Sequence, residues 1–122
     1  MLIIFVIGPY AKIQVEFASS ATDLRRKQSG VPGTYTLRQG KSTNGKPDWI
    51  SSDGKYAIWW MNLYGGKWYI AEVVHRGANI ADLLSPAGYS SPDQGMKWQW
   101  YDHTAKWMPA TDDISVICSN GK

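Results

Sequence analysis

Residues 48–74 read Asp48-Trp49-Ile50-Ser51-Ser52-Asp53-Gly54-Lys55-Tyr56-Ala57-Ile58-Trp59-Trp60-Met61-Asn62-Leu63-Tyr64-Gly65-Gly66-Lys67-Trp68-Tyr69-Ile70-Ala71-Glu72-Val73-Val74. Three strand-like runs are separated by Asp53-Gly54 and Gly65-Gly66, dipeptides that supply the positive-φ conformations of two-residue hairpin turns. The segment is therefore expected to form a three-stranded antiparallel meander. Turns of that length fix register. Ile50 should face Ala57 and Trp49 face Ile58 across the first turn. Leu63 should face Trp68, Asn62 face Tyr69, Met61 face Ile70 and Trp60 face Ala71 across the second.

Side chains alternate across a strand, so the meander has two surfaces. One gathers Ile50, Ala57, Trp59, Met61, Leu63, Trp68, Ile70 and Val74, with Asp48 and Glu72 on either side of Trp59, and is the expected core face. The other gathers Trp49, Tyr56, Ile58, Trp60, Asn62, Tyr64, Lys67, Tyr69, Ala71 and Val73, with Ser51, and mixes flat amphipathic rings with an amide, a hydroxyl and an ammonium.

Outside the meander, Lys12–Phe17 alternates polar and apolar residues, the period of a half-buried strand. Thr34–Arg38, Lys97–Tyr101, Lys106–Met108 and Ile114–Cys118 are further strand candidates. The apolar run Met1–Ile7, closed by Gly8-Pro9, reads as a buried strand. It is far shorter than the roughly 20 residues that cross a bilayer, and its flanks do not suit a signal peptide. Helical signals are sparse: a short turn over Ser20–Gln28, with Ser20, Thr22 or Asp23 as N-cap, and another over Asn79–Leu84. The expected architecture is all-β, one domain over 1–122, an antiparallel meander-type sandwich or barrel of about nine short strands. Residues 18–33 and 85–97 are its long loops.

A faint repeat extends the face assignment. Trp59 and Trp68 lie 9 apart, as do Trp98 and Trp107, and the two pairs are offset by 39. By this equivalence Gln99 and Tyr101 join the mixed surface, while Trp98, Trp100 and Trp107 join the core.

Composition narrows the function. The chain has 122 residues, 43% hydrophobic and 19% charged, with a formal net charge of +3. Seven Trp and seven Tyr stand against two Phe, so nearly every ring carries a polar handle. One cysteine, Cys118, excludes an internal disulfide and a Cys-based zinc site, and two histidines exclude a multi-His metal site. His75 and His103 read as surface or satisfied residues. Asp93, Asp102, Asp112 and Asp113 are dispersed without EF-hand spacing. The single basic run, Arg25-Arg26-Lys27, reads as a solvated loop, not a nucleic-acid footprint. Neither a phosphate loop nor a nucleophile elbow occurs. No catalytic residues, metal, cofactor, nucleic-acid partner or membrane insertion are expected, and the single cysteine slightly favours the cytoplasm.

Gly33 and Tyr35, Asn44-Gly45-Lys46-Pro47-Asp48-Trp49, the Tyr56-to-Trp68 hairpin, then Pro92, Trp98, Trp100 and Trp107 form a pattern over Gly33–Cys118. It resembles a small Trp/Tyr-rich β module found in large protist and invertebrate multi-domain proteins, whose function is unassigned. The resemblance implies a binding or scaffold module and supplies no functional residues.

The expected function is non-catalytic binding of a carbohydrate or an extended peptide. Stacked Trp and Tyr faces pack on sugar C–H faces or on peptide side chains, while nearby polar groups give direction. The platform residues would be Trp49, Tyr56, Trp60 and Tyr69, extended by Tyr101, with Asn62, Lys67 and Gln99 hydrogen bonding. A structural or assembly module that pairs with another copy, or packs on neighbouring domains, is the alternative. A small hydrolase using Asp48 and Glu72 is the second alternative.

Overall fold

The structure, a computed structural model, describes residues 10–94, 97–104 and 106–118. Eight antiparallel strands form one curled sheet, close to the number expected. They are β1 (Lys12–Phe17), β2 (Gly33–Leu37), β3 (Trp49–Ser51), β4 (Tyr56–Met61), β5 (Lys67–Glu72), β6 (Leu83–Leu84), β7 (Gln99–Trp100) and β8 (Ile114–Cys118), in the spatial order β7-β6-β5-β4-β3-β2-β1-β8. β6 occupies the stretch expected to be a turn, and the expected 106–108 strand is present only as a bridge from Trp107 to Tyr101. The Met1–Ile7 strand lies outside the described residues. Among the described residues one six-residue α-helix, α1 (Thr22–Lys27), has Ala21 at its N-cap without a side-chain cap, and buries only Leu24 against the sheet. Among the described residues no helix is long and apolar enough to cross a membrane.

The curl brings the sheet's two ends together. Thr111 donates its backbone N–H to the Trp98 carbonyl at 3.0 Å, and Met108 donates to the Trp100 carbonyl at 2.8 Å. The chain from 107 to 111 thus flanks β7, then runs on into β8, which pairs with β1.

Two apolar clusters lie on opposite faces. The inner one draws on every strand and on α1: Ile13, Val15, Leu24, Val31, Tyr35, Trp49, Ile58, Trp68, Ile70, Leu83, Trp98, Trp100, Ile114 and Val116. The outer one is smaller, with Ala57, Trp59, Met61, Tyr69 and Ala71 flanked by Ile50, Val73, Ala81 and Leu84. It is sealed by two loops. Asn44 donates its amide N–H to the Trp60 carbonyl at 2.8 Å, and Asn79 accepts from the Tyr69 hydroxyl. The first loop is pinned by Asp48, which is fully buried.

The first hairpin has the expected register, with Trp49 opposite Ile58 and Ile50 opposite Ala57. The second does not. Trp60 faces Trp68, Met61 faces Lys67 and Ile58 faces Ile70, a slip of three positions. The turn is centred on Tyr64-Gly65, not on Gly65-Gly66: Tyr64 itself adopts φ 53°, and Gly66 donates to the Leu63 carbonyl at 2.9 Å. Five residues, 62–66, therefore connect β4 to β5. An odd slip exchanges faces, so Trp68 and Ile70 join Trp49, Ile58 and Trp60 on the inner face, and Tyr69 joins Trp59 on the outer one.

Gly66 explains why the slip is stable. Its φ is 81°, and a Cβ there would come within 2.4 Å of the Trp60 indole. Gly66→Ala is expected to cost about 3 kcal/mol through left-handed strain and overlap with that ring. Gly65→Ala, whose Cβ meets only the Ala87 methyl at 3.2 Å, should cost about 1 kcal/mol. Urea denaturation midpoints of the two variants check the contrast.

Candidate functional site

The expected platform does not exist as one surface. Trp49 is 1% exposed, donates its indole N–H to the Tyr10 carbonyl at 2.7 Å and meets the edge of Trp68: it is core. Tyr69 is 2% exposed, sits on the opposite face and is tied to Asn79. Trp60 is half-buried on the inner face, edge-on to Trp68 and covered by the Lys46 ammonium 4.9 Å from its ring centre. Lys67 pairs with Met61, and Asn62 is exposed in the connecting loop. Tyr56 lies at the far end of β4, half-buried, its ring against Gly30. Gln99 reaches the Met108 carbonyl only at 3.4 Å.

The carboxylate pair fares no better. By the observed registers Asp48 lies level with Trp59, and Glu72 lies level with Tyr56. The same registers put them on opposite faces of the sheet. Asp48 is saturated: Arg38 donates Nε–H to Oδ1 at 2.5 Å and Nη2–H to Oδ2 at 2.7 Å, and the Thr43 hydroxyl donates to Oδ2 at 2.7 Å. A carboxylate so engaged has no face for a substrate or a water, so the two acids cannot act as a pair.

Aromatic rings, polar side chains and solvent meet at a different place, the rim where α1 ends and β7 turns back. The curl sets three separate segments side by side there. Tyr101 and Trp107 pair across the turn that follows β7, with ring centroids 5.4 Å apart and planes tilted by 53°. The His103 ring stands nearly perpendicular to Tyr101, at 82° and 5.4 Å. His103 holds φ 65°, a left-handed conformation uncommon outside glycine. The turn is braced by Asp102, which accepts the Thr104 N–H at 2.9 Å. That bond is the main reason the Asp102 carboxyl is held below the usual carboxylate range. Trp107, expected in the core, is 38% exposed.

The polar half comes from α1 and from the start of β6. Gln28, the residue after α1, is 2% exposed. Its Nε2 donates to the Tyr101 carbonyl at 2.7 Å and lies 3.0 Å from His103 Nε2. Asp82 Oδ1 is 3.9 Å from His103 Nε2. Burial pushes the Asp82 carboxyl up; His103, His75 and the Gln28 amide oppose the shift, and Glu72 reinforces it.

Of the expected site residues, only Tyr101 belongs to this cluster. Gln28, Asp82 and His103 carry no sequence signal of their own, because polar residues at loop positions normally face water. Trp107 was masked by its equivalence to Trp68, which is fully buried where Trp107 is not. Among the described residues no group of three His, Cys, Asp or Glu side chains could hold a metal ion. Comparison with known proteins finds no matching family model, no matching curated protein and no matching solved structure.

Proposed function

We propose that this chain is a non-catalytic binding module that takes a carbohydrate on the rim formed by Tyr101, His103 and Trp107, with Gln28 and Asp82 beside the rings. The observation that carries this reading is Trp107: a tryptophan 38% exposed and tilted against Tyr101, whose backbone carbonyl takes the buried Gln28 amide. A sugar presents a C–H face that packs on such a ring and hydroxyls that need directional partners. An extended peptide fits less well. It would add to a sheet edge, and β7 is flanked by β6 on one side and by residues 107–111 on the other.

Titration of the protein with tetrasaccharides of glucose, mannose, galactose and N-acetylglucosamine, followed by tryptophan fluorescence and calorimetry, tests the reading. One sugar class should bind saturably. Trp107→Ala should weaken that binding by at least about tenfold, the value of one lost stacking contact of 1.4 kcal/mol or more. Tyr64→Ala, 72% exposed on the distant β4–β5 loop, should leave affinity unchanged. Saturable binding that survives Trp107→Ala, or none across the panel, overturns the proposal.

A further inference from the structure

The polar half of the rim is short of hydrogens. Gln28 Nε2 carries two. The Tyr101 carbonyl, 2.7 Å away, can only accept, so one hydrogen goes there. The other points to His103 Nε2 at 3.0 Å, which must then be the unprotonated ring nitrogen. The opposite amide orientation would set two oxygens against each other at the Tyr101 carbonyl. With Gln28 donating to both partners, the ring N–H of His103 lies on Nδ1. Asp82 is a third acceptor acted on by the same amide, whose two hydrogens are directed to Tyr101 and His103. It lies 3.9 Å from His103 Nε2, and no Lys or Arg lies within ion-pair distance of it among the described residues. Glu72 adds negative charge from β5. The Asp82 side chain keeps 17% of its surface in solvent, enough to receive a hydrogen from a ligand.

We infer that Asp82 is the specificity-determining residue of this rim, accepting ligand hydroxyl hydrogens and selecting neutral, hydroxyl-rich sugars over carboxylated ones. The inference rests on the carbohydrate reading. A sugar hydroxyl both donates and accepts, so it supplies the hydrogen that Asp82 lacks and takes one from the Nδ1–H of His103. A carboxylated sugar brings a further anion toward Asp82 and Glu72, and with no Lys or Arg paired to Asp82, like charges at a partly desolvated site exclude one another.

The test is calorimetry on the whole chain at neutral pH. Tetrasaccharides of glucose, mannose and galactose are each compared with the form carboxylated at C6. The neutral sugar that binds should bind at least about tenfold more tightly than its carboxylated counterpart. Asp82→Asn should weaken the neutral sugar about tenfold, as expected for a hydrogen bond to a charged acceptor, and close most of the gap between the two forms. Should Asp82→Asn fail to fold, the wild-type Asp82 carboxyl carbon resonance serves instead: it should move on saturation with the neutral sugar. Equal affinity for both forms, an unaltered affinity in folded Asp82→Asn, or an unmoved carboxyl resonance overturns the inference. In each of those cases binding lost in Trp107→Ala leaves the carbohydrate reading standing. No binding of any sugar, neutral or charged, removes both.

Discussion

Replacing Asp48 with alanine is expected to destabilise the protein by about 3–5 kcal/mol, the usual effect of removing one partner from a buried ion pair. Asp48 is wholly buried, and Arg38 is left 27% exposed with its guanidinium aimed at an empty site. The loss spreads through the loop at 38–48. Thr43 loses its acceptor, and the adjacent Asn44, which donates to the Trp60 carbonyl 16 positions along the chain, loses its anchor. The outer cluster around Trp59 and Tyr69 would then meet water, so the variant's tryptophan emission should shift to the red before global unfolding. A urea midpoint within about 1 kcal/mol of wild type would show that the pair is dispensable.

The same residue predicts an acid limb. Burial alone would push the Asp48 carboxyl up, but hydrogen bonds from Arg38 and Thr43, with the charges of Arg38 and Arg76, outweigh it and hold the group below the usual carboxylate range. In the unfolded chain the group returns to the ordinary value near 4. Its contribution is therefore full at neutral pH and is lost as pH falls through the depressed native value. Asp48→Ala should show a shallower decline in stability over that acid window than wild type.

Trp68→Ala is expected to cost about 3–5 kcal/mol by leaving a cavity at the centre of the inner cluster. The ring touches the edges of Trp49 and Trp60 at centroid distances of 5.8 and 5.3 Å, and its indole N–H donates to the Tyr89 carbonyl at 3.0 Å. Its backbone N–H is taken by the Ser85 hydroxyl at 2.8 Å, so the ring is locked at both ends. Trp68→Phe keeps a ring but strands the carbonyl, at about 1–2 kcal/mol. Trp107→Ala, by contrast, should stay within about 1 kcal/mol of wild type. Chemical denaturation of the three variants separates the tryptophan that holds the fold from the one proposed to meet a ligand.

Some of this was legible and some was not, for reasons that lie in particular residues. Asp53-Gly54 is a turn dipeptide that behaves as one: Asp53 accepts the Ser51 hydroxyl and the Lys55 N–H, and the register beyond it follows. At the second turn Tyr64 adopts a conformation that sequence reasoning assigns to glycine. The pattern of β4 and β5 could not correct the error, because both faces of these strands are buried and alternation vanishes. The expected aromatic platform inherited that slip. The rim was less legible still. Tyr101 could be reached through the 39-residue offset, but Gln28, Asp82 and His103 acquire meaning only when the sheet curls. Nothing local to any of them announces the other two.

The pairing of β8 with β1, a seam between the earliest and latest strands of the sheet, has a thermodynamic side. Phe17 and Ile114, which pair in it, are 97 positions apart, and the Gln28 amide reaches across 73 positions to Tyr101. The hairpins from β2 to β6 can form as neighbours along the chain, whereas these contacts require almost the whole polypeptide to be in place. The rim as described is therefore a property of the closed sheet, because residues 28, 82 and 101 meet only there. A molecule held there is linked to the closed state by mass action: each tenfold excess over its dissociation constant adds about 1.4 kcal/mol against opening. Occupancy of the rim and integrity of the seam are one equilibrium, so the ligand would act on this fold as a reversible clasp.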